Sequence, residues 1–222
     1  MLLERMIGFV APHTCLHCGE EGSLLCISCQ KTQLTALPET CYRCQKQNPA
    51  GLTCGACRGH SAIKSVQVVT SYTGLAKDLV YRLKFARAQA AAETIADIMA
   101  EHYQLLEPDV LVVHIPTATS RIRQRGYDQA ALITRYLGHK LGLPTRKLLF
   151  RQGQTRQVGA GRKARQHQLK DVFFIPSPKS VEKRHILLID DVITTGATIE
   201  EATKTLILAG AASVHILAFA QA

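Results

Sequence analysis

The stretch "HILLIDDVITTGATIEEA", residues 185–202, decides how this chain is read. Its apolar run at 186–189 predicts a buried strand, and "ATIEEATKTLILAG" (197–210) predicts the helix that follows. An ordinary strand-to-helix junction accounts for a capping threonine and a glycine. It does not account for Asp190 and Asp191, two acids held side by side at the strand's end where like charges repel. The small residues at 194–198, opening onto a helix N-terminus, offer backbone N–H groups and hydroxyls to a phosphate dianion. Two neighbouring carboxylates accept hydrogen bonds from vicinal sugar hydroxyls. The stretch reads as one wall of a site for a phosphorylated sugar.

The surrounding pattern supports such a site. From residue 63 the chain alternates between β-rich and amphipathic segments. Strands are expected at "SVQVVTSY" (65–72), "DVLVVHIP" (109–116), "DVFFI" (171–175), "HILLID" (185–190) and "SVHILAFA" (213–220). Helices are expected at 74–88, 92–106, 127–142 and 197–210, the first with Leu75, Leu79, Leu83 and Phe85 on or near one face. Alternation at these lengths predicts an α/β fold with a parallel sheet, whose ligands sit beyond the carboxyl ends of the strands. Asp190-Asp191 and "IPTATSRIRQRG" (115–126) both occupy such ends. A Walker-type nucleotide site is excluded, because the chain lacks G-x-x-x-x-G-K-[ST]. "VGAGRKA" (158–164) matches a dinucleotide fingerprint only superficially, since no strand precedes it.

All eight cysteines fall between residues 15 and 57, in four Cys-x-x-Cys pairs: "CLHC", "CISC", "CYRC" and "CGAC". A thioredoxin-like redox motif uses one such pair, and a disulfide framework needs an oxidising compartment. Four pairs make two four-thiolate Zn2+ sites, each closed and structural rather than catalytic. Consecutive pairing gives Cys15, Cys18, Cys26 and Cys29 in one site and Cys41, Cys44, Cys54 and Cys57 in the other, with crossed pairing still open. His13 and His17 are bystanders on this count. The domains expected are a double zinc ribbon over 1–62 and an α/β domain over 63–222.

The formal net charge is +10, yet residues 121–170 carry thirteen Lys/Arg against Asp128 as their one acid, so the rest of the chain is net negative. A charge excess confined to one stretch suits a polyanion, either phosphates on a small molecule or a nucleic-acid backbone. No apolar run approaches the ~20 residues of a membrane span, and the start shows no cleavage pattern. A cytoplasmic location is expected.

"ILLIDDVITTGAT" resembles the 5-phosphoribosyl-1-pyrophosphate (PRPP) signature of type I phosphoribosyltransferases: four hydrophobics, two acids and a Thr-Thr-Gly-x-Thr loop. That resemblance implies that Asp190 and Asp191 hold the ribose and that Thr194, Thr195, Gly196, Ala197 and Thr198 hold its 5-phosphate. It further implies that the turn with Thr117, Ala118 and Thr119 binds pyrophosphate, with Mg2+ bridging pyrophosphate and ribose oxygens. The cysteine pairs together with "YRLKF" (81–85), "RIRQRGYDQA" (121–130) and "TRQVGAGRKARQHQL" (155–169) resemble the ComF (competence protein F, GntX-like) family. The chain departs from that family's usual pattern at Asp128, Ala160 and Gln168. Transfer at C1 of PRPP would expel pyrophosphate, and Arg125, Arg162 and Arg165 are the expected cation clamps, while Lys84 is by default a helix-face lysine. The resemblance implies a PRPP-binding protein, a phosphoribosyltransferase with an unknown acceptor, acting in DNA uptake and natural competence. The alternative is a PRPP-sensing or single-stranded-DNA-binding competence factor without catalysis. No residue announces an acceptor site or a general base.

Overall fold

The computed structural model describes residues 13–86, 89–104, 107–152 and 172–222. Four parallel strands form its centre: β1 (Ile63–Ser71), β2 (Val110–His114), β5 (His185–Ile193) and β6 (Ser213–Gln221), ordered β1-β6-β5-β2. Their near-continuous Val/Ile/Leu content fits a sheet covered on both faces. One face carries α3 (Gly74–Phe85), α4 (Ala90–His102) and α6 (Gln129–Leu141), packed through Leu79, Leu83, Ile95, Ile133 and Leu137 onto Leu187 and Leu217. The other face carries α7 (Ala197–Leu208), packed through Ile199, Ala202 and Leu206 against Ile186, Leu188 and Ile216. Among the described residues, no helix is long and apolar enough to cross a membrane.

Two expectations change. Of the segment expected at 171–175, the described residues 172–175 supply no strand to the parallel sheet: Phe173–Phe174 (β4) pairs antiparallel with Phe150–Arg151 (β3) as a separate two-stranded ribbon. Phe150 and Phe174 hold it together, with ring centroids 5.7 Å apart. The strand expected to stop at the acids instead runs on to Ile193, staying in register with β6 up to Gln221. The acids thus lie within a hydrogen-bonded strand, where adjacent positions direct their side chains to opposite faces.

The two cysteine-rich segments repeat one local design. In each, a turn after the first cysteine closes through Gly19 N–H to Cys15 O or Gln45 N–H to Cys41 O. The third cysteine, Cys26 or Cys54, then sits at the start of a short helix, α1 (Ile27–Gln33) or α2 (Gly55–Arg58). The first repeat joins the main core through Cys15, Leu24, Leu25 and Cys29. One residue ahead of the second repeat and one within it pair with the outer edge of β1, Ala36 opposite Thr70 and Leu52 opposite Ser65.

Candidate functional site

Strand β5 delivers the two acids at the carboxyl end of the sheet. Asp191 is buried, and its Oδ2 lies 2.6 Å from Lys84 Nζ at the last turn of α3. Its Oδ1 accepts from the Val192 N–H, while Asp190 Oδ1 accepts from the Asp191 N–H at 2.9 Å. Burial pushes the Asp190 carboxyl well above its ordinary range, and the neighbouring Asp191 carboxylate adds to the rise. A cation or hydroxyl donors placed against this pair would favour its charged form again.

Directly after β5 the chain turns through residues 194–198 into α7. Thr194 and Thr195 are exposed. Gly196 supplies the left-handed backbone (φ 76°) that the turn needs, and no side chain caps the helix there. Ala197 N–H makes only a long contact to Thr195 Oγ1 (3.5 Å), so the first turn of α7 can still receive an anion at the positive end of the helix dipole.

The second wall follows β2. Ile115 N–H reaches Ile189 O, which ties this loop to β5. Thr117 then donates to Asp128 through both its N–H (3.1 Å) and its hydroxyl (3.0 Å). Asp128 is also the N-cap of α6, accepting from the Ala130 and Ala131 N–H groups. One carboxylate thus starts a helix and shapes the turn holding Thr117, Ala118 and Thr119. Helix α5 (Thr119–Arg125) ends in Arg125, which is only 8% exposed, with Nε and one terminal nitrogen lacking a hydrogen-bond partner. Its guanidinium lies 5.2 Å over the Phe85 ring. Burial depresses its pKa, Arg121 adds to this, and Asp191 opposes it. Tyr127, two residues on, donates its hydroxyl to Leu83 O. The last turn of α3 therefore braces both walls: Lys84 at the acids, Phe85 and Leu83 at the arginine turn.

Three contributors to this arrangement exceed the sequence reading. Lys84 is an ion-pair partner of Asp191 and no bystander on a helix face. Phe85 is 57% exposed and covers Arg125 instead of joining the apolar stripe. Asp128 is the cap and loop anchor, a role its position just before "QAALI" signals through N-cap preference. Arg162 and Arg165 lie outside the described residues. A separate cleft of about 320 Å³ lies between residues 36–45 and the β1/α4 side. There Gln67, Gln104 and Glu39 bond one another and nearby backbone, so its polar groups are largely spent.

The eight cysteines form two groups paired consecutively, with all four sulfurs of each group within 4.8 Å of one another. Neither His13 nor His17 belongs to a group. Burial raises the Cys15 and Cys41 thiols, but surrounding backbone N–H groups outweigh it and bring each down to about 6. In the same groups Cys29 is pushed up by burial and its neighbouring cysteines, and Cys57 reaches about 12 through Cys54 and burial. Four such sulfurs ionise together only around a cation, and four closely spaced sulfur donors are compatible with a zinc site.

The profile of the phosphoribosyl transferase domain matches residues 84–222, from Lys84 to the last residue of β6 and beyond. The chain belongs to this family. The parallel-sheet type I phosphoribosyltransferase fold, preceded by two four-cysteine groups, stands as expected. The matched span contains both walls of the site and starts at Lys84, the residue that pairs with Asp191. Competence protein F of Haemophilus influenzae is 27% identical over 226 residues, 94% of this chain and 96% of that protein. DNA utilization protein YhgH of Salmonella typhi is 29% identical over 181 residues, 76% of this chain and 78% of that protein. Competence protein ComFC of Bacillus subtilis is 25% identical, covering 85% of this chain and 80% of that protein. Among solved structures, the glutamine PRPP amidotransferase of B. subtilis aligns with TM-score 0.45 and 16% identity over 63% of this chain, which spans 30% of that one.

Proposed function

We propose that the phosphoribosyl transferase domain binds PRPP between the two walls and serves in DNA uptake, as the names of its competence and DNA utilization relatives suggest. The observation that carries the reading is Arg125: a buried cation with unpartnered N–H groups, beside an acid pair and an open helix N-terminus. An unpaired buried guanidinium is costly unless an anion completes it. In this reading Asp190 and Asp191 accept the ribose hydroxyls, and the N–H groups and hydroxyls of 194–198 hold the 5-phosphate. The 117–119 turn and Arg125 receive the pyrophosphate. Mg2+ would be held with the ligand near Asp190 and Asp191, whose carboxyl oxygens suit a hard cation, and would offset diphosphate charge. Transfer breaks the C1–O bond to pyrophosphate; Arg125 and Lys84 stabilise the departing charge, and the sugar passes to an acceptor nucleophile.

The two cysteine groups are proposed as structural zinc sites, and reduced cysteines in such groups fit the cytoplasm. Elemental analysis should give two zinc per chain; none would overturn this assignment. Titration calorimetry of Mg-PRPP tests the site: wild type should bind, and the Asp190→Asn/Asp191→Asn variant should not. Equal heats from both would refute it. The excess of cations in residues 121–170 favours a second reading, binding of PRPP or single-stranded DNA without transfer. Pyrophosphate release in the presence of candidate acceptors separates the two, and a flat dependence of DNA affinity on salt would remove the DNA contact.

A further inference from the structure

The second cysteine group touches the first turn of α7, the helix that the 194–198 turn leads into. Tyr42 stands in the knuckle between Cys41 and Cys44, with its ring packed against the core on the α7 side. Its hydroxyl lies 2.6 Å from Ser61 Oγ and donates to Glu200 Oε1. Arg43, beside it, reaches the same oxygen at 3.9 Å and donates to His60 O. Glu200 belongs to the first turn of α7, and its backbone N–H bonds Gly196 O, closing the turn that presents residues 194–198.

An acid in the first turn of a helix favours the helix dipole. In a helix whose N-terminus is to receive a phosphate dianion, the same carboxylate is a competitor for that field. We infer that Tyr42 is a positioning residue that holds the Glu200 carboxylate against the second cysteine group and off the phosphate loop. Arg43 screens the held charge. Because Tyr42 lies between two sulfur donors, closing the four-sulfur group fixes the tyrosine, and the tyrosine fixes the acid. The cysteine module then acts on ligand affinity from outside the ligand's reach. This inference rests on the phosphoribosyl reading of the loop.

Four proteins decide it: wild type, Tyr42→Phe, Glu200→Gln and the double variant, each first shown to keep two zinc per chain. The readouts are calorimetric affinity for Mg-PRPP and for ribose 5-phosphate, and amide hydrogen exchange over residues 196–201 without ligand. Tyr42→Phe should weaken both ligands about fivefold, the scale of a one-hydrogen-bond or helix-terminus charge effect, and should speed exchange. Glu200→Gln removes the competing charge, so the double variant should recover wild-type affinity, which a merely structural role for Tyr42 would not allow. Unchanged affinity in Tyr42→Phe, or a double variant as weak as Tyr42→Phe, overturns the inference while leaving the site reading intact. If wild type binds neither ligand, the site reading itself falls, and this inference with it.

Discussion

Replacing Lys84 by Met tests whether α3 is part of the site. The pair Lys84–Asp191 is 2.6 Å long, which at an effective dielectric of about 20 corresponds to a gross attraction of about 6 kcal/mol. Desolvation offsets much of that, because Asp191 is 8% exposed and the lysine 18%. What removal exposes is the carboxylate: breaking one partner out of a buried pair costs ~3–5 kcal/mol. The lysine's partial exposure lets water reach the gap, so about 2–3 kcal/mol is expected at pH 8. For a chain of this size that lowers Tm by roughly 5–10 °C. Since the chain has no Trp, far-ultraviolet circular dichroism is the assay of choice. The penalty belongs to an unpaired carboxylate, so it should shrink in Lys84→Met/Asp191→Asn, where no charge is left uncompensated. A Tm loss under 1 °C, or a double variant showing the sum of the single losses, would refute the argument that this ion pair links helix to strand.

Asp190→Asn should raise stability at pH 8 by on the order of 1 kcal/mol while abolishing Mg-PRPP binding, a trade expected of functional groups. The folded pKa of Asp190 lies above its unfolded value, so its contribution is full below the unfolded value and lost as pH rises through the folded one. The gain from Asn should therefore vanish in acid, which paired melts at pH 8 and pH 4 will show. Arg125→Met should melt within about 1 kcal/mol of wild type, since an unpartnered buried cation contributes little, yet lose PRPP affinity more than tenfold by calorimetry. Asp128→Ala should lower stability by about 2 kcal/mol through the lost α6 cap and Thr117 bonds, with Asp128→Asn retaining most of it in urea melts.

The acids and the glycine turn were legible in the sequence because their chemistry is local: one strand, one turn and one helix start bring them together. Lys84 was not, because helical periodicity sorts buried from exposed positions but does not say which lysine bends toward a distant strand. Phe85 misled for the same reason, being aromatic and near the apolar stripe yet turned outward over Arg125. The segment at 171–175 has the composition of a core strand, and composition does not name a pairing partner; it found β3. Spacing alone left the cysteine pairing open, and the sulfur positions settle it as consecutive.

The pairing of Ala36 with Thr70 and Leu52 with Ser65 makes the cysteine-rich segment a cover for the sheet's exposed margin. β1 lies at the end of the sheet order, and a bare margin of that kind recruits other chains into continuous sheets. A truncated chain starting at residue 63 should keep every acid and loop residue of the site yet self-associate, which light scattering will show. The cysteine-rich segment thus gives that strand edge a partner within its own chain.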